Sequence, residues 1–175
     1  ASSPADHLAV SEVARCLRTT KVAALARALP QDIDAAAEAL RPAKAGRIHL
    51  FISTSAIHIH RKLQMTEAQV LEASRAAVLR ARKVCDDIQW SAEDCTRTDY
   101  EFMCRAFETA IKAGAKTVTI ADTVGYTTPN EIRDRIQHLF DHVPGMEKVR
   151  LAIHCHNDLG MAVANSLAAL EAGTR

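Results

Sequence analysis

A short β-branched run, Lys116-Thr-Val-Thr-Ile120, precedes a helical stretch that begins at Thr128-Pro129 and continues to about His142. After a turn at Pro144-Gly145 comes a second apolar run, Val149-Arg-Leu-Ala-Ile153. Strand, helix and strand in this order are typical of a βαβ unit, whose helix joins two parallel strands through a right-handed crossover. This stretch therefore predicts an α/β protein with a parallel sheet.

The same unit repeats towards the N-terminus. Further strands are expected over residues 21–25, ending near Arg27, over 47–53, and from residue 87 onward. Further helices are expected over residues 4–17, 32–40, 99–113 and 160–172, and from residue 66 onward. Residues 55–65 are expected to form a longer irregular connection. Five strands, each followed by a helix, fit either a doubly wound open sheet or part of a (β/α)8 barrel, since a complete barrel needs about 250 residues. Residues 1–175 are expected to form one domain, with no second domain.

Composition excludes several classes of partner. The net charge is +1 and aromatic residues make up 4% of the chain, so neither nucleic acid nor an anionic membrane is an expected partner. No apolar run approaches the roughly 20 residues that a membrane-spanning helix needs. The five cysteines lack C-x-x-C spacing, and no signal peptide is recognisable at the start of the sequence. We therefore expect a cytoplasmic location, or a plastid or mitochondrion in a eukaryote.

Polar side chains follow every predicted strand. They are Arg27; Thr54 and Ser55; Glu93 and Asp94; Asp122 and Thr123; and His154, His156, Asn157 and Asp158. Because parallel strands end at one edge of the sheet, these side chains are expected to share one face of the protein. That face is where barrels and open α/β sheets both place their sites.

The sequence His154-Cys155-His156 is the sharpest of these features. Side chains two residues apart on a strand point to the same side, so both imidazoles are able to reach one metal ion. Imidazole nitrogen suits Zn²⁺, Mn²⁺ or Fe²⁺, whereas nearby carboxylates favour harder ions. The alternative is structural: one histidine packs and the other caps the following helix.

The other candidates have equally plausible structural roles when taken alone. Glu93 and Asp94 fit a general acid or base, although helix capping accounts for Asp94 equally well, and Thr123 fits a turn before Gly125. His49, inside a strand, reads as a core histidine. His58 and His60 form a second H-x-H pattern, but in a loop that gives no fixed geometry.

Four segments, in this order, together resemble the 2-isopropylmalate synthases. They are Arg47-Ile-His-Leu-Phe-Ile-Ser-Thr-Ser55, Ser91-Ala-Glu-Asp-Cys-Thr-Arg-Thr98, Ala121-Asp-Thr-Val-Gly-Tyr-Thr-Thr-Pro129 and Ile153-His-Cys-His-Asn-Asp-Leu-Gly160. The resemblance runs through essentially the whole chain and extends to a wider superfamily that includes homocitrate and citramalate synthases and hydroxymethylglutaryl-CoA lyases. Ala121 departs from it, because the family usually has proline at that position.

The resemblance implies a fold as well. The chain would contain strands 2–6 of a (β/α)8 barrel with their helices and would lack strands 1, 7 and 8. An Arg-Asp pair, a further asparagine ligand, a Gly-rich CoA-binding segment and a regulatory domain would then lie outside it. On that basis the isolated polypeptide is expected to be unstable or self-associating, and inactive.

The implied activity is the condensation of acetyl-CoA with a 2-oxo acid, 2-oxoisovalerate, assisted by a divalent metal (Mn, Zn, Mg or Co). By position, His154 and His156 match metal ligands and Glu93 matches a catalytic carboxylate. His49, Thr123 and Arg27 match residues that line the 2-oxo acid pocket. The complete protein would be a homodimer. Homocitrate or citramalate synthesis, a lyase reaction and a truncated, non-catalytic product remain as alternatives.

Overall fold

Helices and strands alternate along the computed structural model, which describes residues 3–175. The strands are β1 (Val22–Arg27), β2 (Gly46–Ser53), β3 (Ile88–Glu93), β4 (Thr117–Asp122) and β5 (Arg150–Cys155). The helices are α1 (Pro4–Cys16), α2 (Pro30–Leu40), α3 (Ala56–His58), α4 (Glu67–Ala81), α5 (Tyr100–Ala113), α6 (Pro129–His142) and α7 (Ala162–Glu171). Each predicted strand and long helix is present, with its ends shifted by a few residues. None of the helices in the described range is long and apolar enough to cross a bilayer.

The five strands are all parallel and lie side by side in sequence order, β1-β2-β3-β4-β5. Neighbouring strands are aligned so that Ile48 pairs with Ile88 and Ala121 with His154. A doubly wound sheet reverses its strand order part-way along the chain, whereas a barrel wall keeps it. The unbroken order therefore selects the partial barrel from the two predicted architectures.

A single apolar core lies between the sheet and the helices. Alternate strand residues such as Ile48, Leu50 and Trp90 are fully buried in it. The Trp90 ring meets the Phe107 ring of α5 edge to face, with centroids 5.4 Å apart. The opposite face of the sheet carries polar side chains, as the inside of a barrel does near its active end.

Local signals fix the helix ends. The Ser3 hydroxyl accepts a hydrogen bond from the backbone N–H of Asp6, and Thr66 and Thr128 form capping boxes with Gln69 and Glu131. These contacts satisfy backbone N–H groups that have no partner inside a helix. Helix α5 ends at Gly114, whose φ of 104° suits glycine.

One segment differs from the prediction. Residues 55–65, expected to be irregular, form helix α3 followed by a π-helical turn over Ile59–Leu63. Ile59 is 1% exposed and belongs to the apolar core, so it anchors this turn there. Burial of one residue, rather than a repeating apolar pattern, accounts for the ordered turn.

Candidate active site

Polar side chains on the inner face of the sheet bond across neighbouring strands. His49 Nε2 lies 2.6 Å from Ser91 Oγ, and Gln89 Nε2 donates to Thr119 Oγ1 at 2.9 Å. Because residues alternate between faces along a strand, His49 points away from the apolar core that contains Ile48 and Leu50. These bonds build a polar floor across β2, β3 and β4.

At the carboxyl ends of the strands this floor opens into a hollow of about 290 Å³. Five of the six residues predicted from the sequence line it: His49, Glu93, Thr123, His154 and His156. Leu25 and Phe51 add apolar surface to the same hollow. A larger hollow of about 800 Å³ lies at the opposite ends of the strands, but barrel enzymes place their chemistry at the carboxyl ends.

His154 and His156 lie side by side at the edge of the hollow, with ring centroids 5.1 Å apart and ring planes at 61°. Both residues are exposed, so an ion is able to approach them. Two imidazoles suit borderline ions such as Zn²⁺, Mn²⁺ or Co²⁺. Within residues 3–175, no group of three or more His, Cys, Asp or Glu side chains is arranged to hold a metal. Any ion here would therefore need ligands beyond the His pair.

Glu93 ends strand β3, and two side chains hold its carboxylate. Lys62 Nζ lies 2.7 Å from Oε1 and 2.8 Å from Oε2, and the Ser53 hydroxyl donates to Oε2. The Glu93 side chain is 20% exposed and caps no helix. This geometry favours the role of general acid or base that the sequence suggests for Glu93.

The adjacent carboxylates have structural partners. Asp94 is fully buried, accepts a hydrogen bond from the Ser55 hydroxyl and pairs with Arg97 at 2.7 Å. Asp122, also fully buried, accepts bonds from the Thr96 and Thr127 hydroxyls at 3.0 and 2.8 Å. Both residues therefore stabilise the loops around the hollow.

Thr123 links two of these loops. Its hydroxyl accepts the backbone N–H of Asp94 at 2.8 Å, which connects the end of β4 with the turn after β3. Because Thr123 also lines the hollow, it combines a structural contact with a position beside the candidate ligands.

The environment of His49 favours the neutral imidazole. Burial lowers the pKa of His49 to about 4, and electrostatic interactions with Arg47 and His154 add to this effect. At neutral pH the ring is therefore uncharged. In the neutral ring one nitrogen is a donor and the other an acceptor, and the Ser91 hydroxyl is able to pair with Nε2 in either tautomer.

Arg27 lies apart from the other five predicted residues. Its guanidinium pairs with Asp32 at the start of α2, where Nη2 donates to Oδ1 at 3.2 Å. The hydrogen bond and charge of Asp32 raise the pKa of Arg27. A role for Arg27 in substrate binding stays a prediction. His58 approaches Asp94 at 3.4 Å and His60 is exposed, so neither side chain lines the hollow.

A family model matches this chain over its whole length: the HMGL-like model aligns with residues 1–175. The chain belongs to the HMGL-like family. Members of this family with curated names resemble it closely. It is 50% identical to the 2-isopropylmalate synthase of Rhodopseudomonas palustris (strain TIE-1) over 174 residues. It is 52% identical to that of Aeromonas salmonicida (strain A449), also over 174 residues. Each alignment covers 99% of this chain and 33% of the relative, so the chain spans about a third of the length of these synthases.

Solved HMGL-like structures share the fold. The HMG-CoA lyase of Bacillus subtilis superposes with a TM-score of 0.75 at 20% identity, over 93% of this chain and 55% of that one. The hydroxymethylglutaryl-CoA lyase of Pseudomonas aeruginosa gives 0.73 at 24% identity, over 91% and 54%. At these identities the likeness establishes the architecture, and the reaction has to be argued from the site.

Proposed function

We propose that this chain is part of a metal-dependent 2-isopropylmalate synthase, which condenses acetyl-CoA with 2-oxoisovalerate to give 2-isopropylmalate and CoA. The observation that carries the proposal is the identity of about one half, along almost the entire chain, with synthases of that name. The hollow at the carboxyl ends of the strands supports it, because a His pair, a held carboxylate and a neutral imidazole meet there. The product is a precursor of leucine.

His154 and His156 would hold the metal ion. When bound, the ion supplies Lewis-acid polarisation of the 2-oxo group. The two rings define the side of the hollow on which the 2-oxo acid lies, next to β5. His49, neutral and bonded to Ser91, keeps one ring nitrogen available to this substrate without adding a positive charge. The Thr123 hydroxyl lies on the same wall of the hollow.

Glu93 is the general base. Its carboxylate takes a proton from the methyl group of acetyl-CoA. The deprotonated methyl carbon then forms a bond to the keto carbon of the 2-oxo acid. The keto oxygen takes up the proton that Glu93 removed and becomes the tertiary alcohol, which leaves Glu93 ionised again. Water then adds to the thioester carbonyl, CoA leaves as the thiol, and the second carboxylate of the product forms. A positioned carboxylate contributes about 10²- to 10⁴-fold to such a proton transfer.

The proposal is tested with the natural polypeptide that carries this chain. Free CoA thiol is measured after mixing acetyl-CoA with 2-oxoisovalerate, and in parallel with pyruvate or 2-oxoglutarate, in the presence of Mn²⁺, Zn²⁺, Mg²⁺ or Co²⁺. The fastest release with 2-oxoisovalerate, together with 2-isopropylmalate in the product mixture, supports the proposal. Faster release with 2-oxoglutarate or pyruvate identifies a homocitrate or citramalate synthase. Cleavage of hydroxymethylglutaryl-CoA without condensation identifies a lyase. The mass of the polypeptide in solution tests the predicted homodimer.

A further inference from the structure

The contact between Lys62 and Glu93 is not explained by the roles assigned above. Lys62 Nζ lies within hydrogen-bonding distance of both carboxylate oxygens, at 2.7 and 2.8 Å, and 3.3 Å from Ser53 Oγ. Ser53 donates in turn to Oε2 of Glu93. The base is thus held by one cation and one hydroxyl, from a helical turn and a neighbouring strand. Because Lys62, Ser53 and Glu93 all contact one another, the carboxylate is restricted to few orientations.

An unusual piece of backbone brings Lys62 to this place. In the π-helical turn Ile59–Leu63, the N–H of Gln64 donates to the carbonyl of Ile59, and the N–H of Met65 donates to the same carbonyl at 3.2 Å. Gln64 adopts left-handed backbone angles, φ 54° and ψ 42°, to close the turn. π-Helical turns are rare, and many of those known lie at functional sites. The buried Ile59 anchors this turn in the apolar core.

Stability alone is a weak reason for this ion pair. The Lys62 side chain is 48% exposed, and ion pairs with that much solvent contact contribute little to folding. Glu93, in contrast, is 20% exposed and faces a hollow with apolar walls at Leu25 and Phe51. The Lys62 ammonium contacts both oxygens of this carboxylate, at 2.7 and 2.8 Å, and so fixes the direction in which the carboxylate points. The larger effect of Lys62 is therefore on Glu93 itself.

We propose that Lys62 is a positioning residue that keeps the Glu93 carboxylate oriented for proton abstraction; this inference rests on the proposed function. Lys62 touches the base and acts through it. Its loss should therefore slow the chemical step without weakening the binding of either substrate.

The test is a double-mutant cycle on the natural polypeptide, with kcat and KM measured for both substrates. We expect Lys62→Met to lower kcat about 10- to 100-fold, a substantial part of what a positioned base supplies. KM should stay within about twofold, because ground-state binding is unchanged. Lys62→Arg should restore most of the rate. In a Glu93→Gln background, Lys62→Met should cost less than about twofold, because the residue through which it acts is gone.

Arg61 provides the matched control. It is the neighbouring cation on the same turn, it is exposed, and it forms no ion pair with any residue from 3 to 175. Arg61→Met removes the same charge from the same turn and should leave kcat unchanged. Thermal unfolding of each variant separates loss of the fold from loss of the rate.

Three outcomes would overturn the inference: an unchanged kcat in Lys62→Met, a raised KM at constant kcat, or an equal loss in the Glu93→Gln background. The last two would mean that Lys62 contacts a substrate. If the unmodified polypeptide shows no synthase turnover, the proposed function fails instead. A crystal structure of Lys62→Met then decides the inference: displacement of the Glu93 carboxylate from Ser53 supports it, and an unmoved carboxylate refutes it.

Discussion

The backbone N–H of His156 donates a 3.2 Å hydrogen bond to the carbonyl of Asp122, the last residue of the neighbouring strand. The position of the second candidate ligand therefore depends on the end of β4 as well as on β5. Asp122 is itself fixed by the Thr96 and Thr127 hydroxyls, and the N–H of Leu159 donates to the Gly125 carbonyl at 3.1 Å. The loops after β4 and β5 thus form one connected unit beneath the His pair.

Gly125→Ala should disturb this unit. A Cβ at Gly125 would lie 2.3 Å from Asp158 Oδ2, 2.9 Å from the Asp158 nitrogen and 3.0 Å from the His156 carbonyl carbon, and φ is +65°. The side-chain oxygen is able to move, but the two backbone atoms move only with the loop. We expect a loss of about 3 kcal/mol in the free energy of unfolding, from strain and clash together. Urea unfolding measures this loss of stability. Metal content shows whether the displaced loop also disturbs the His pair.

Gly160→Ala is the matched control for that substitution. Gly160 has φ +72°, but a Cβ there meets no atom within 4 Å. It should therefore cost about 1–2 kcal/mol from backbone strain alone and leave metal content unchanged. Equal losses in the two variants would show that the contact of Gly125 with the β5 loop has no influence.

Removing either imidazole of the candidate metal pair should lower metal content. His154→Ala and His156→Ala each leave one ring of the pair, and a single imidazole binds a divalent ion weakly without a second donor beside it. Elemental analysis of the dialysed polypeptide should show loss of most of the bound ion in both variants. His60→Ala, from the exposed second H-x-H pattern, should retain it. Full metal content in His154→Ala would contradict the assignment.

Much of the fold could be predicted because its signals are local. Thr66, Asp99 and Thr128 each accept or exchange hydrogen bonds with the backbone of the next turn, so the helix starts are visible in the sequence. The π-helical turn after α3 has no such signal. It depends on the burial of Ile59 in the apolar core, which is built from residues far apart in the sequence.

The difference between local signals and long-range contacts also separates the site residues that could be predicted from those that were missed. His49 resembles a core histidine when taken alone, but the two-residue period of its strand places it on the face opposite Ile48 and Leu50. Lys62 was missed because its position depends on the unpredicted turn. Arg27 lies at the expected strand end, yet its long side chain pairs with Asp32, and no strand pattern reveals such a partner.

The core between sheet and helices should depend strongly on Trp90. The side chain is fully buried against Phe107, so Trp90→Ala should lower the free energy of unfolding by about 3–5 kcal/mol through lost contacts and a cavity. Tyr126, which is 51% exposed, serves as the control, and Tyr126→Ala should cost less than about 0.5 kcal/mol. Urea denaturation of the natural polypeptide measures both. Truncating a buried aromatic side chain costs about 3 kcal/mol or more, so a loss below about 1 kcal/mol in Trp90→Ala would contradict this packing.

His49 should make folding stability depend on pH. Its pKa is about 4 in the folded protein, compared with the ordinary value of 6.5 that applies in the unfolded chain. Between these two pH values the unfolded chain binds a proton that the folded chain does not. Stability therefore falls as the pH drops from about 6.5 to about 4, by an amount on the order of 2 kcal/mol once residual solvent contact is allowed for. His49→Gln keeps a hydrogen-bonding group beside Ser91 but does not titrate. In a chelating buffer, which removes metal binding from the comparison, the variant should lose less stability than the parent across this window. Parallel curves for the two proteins would mean that His49 is not the group responsible.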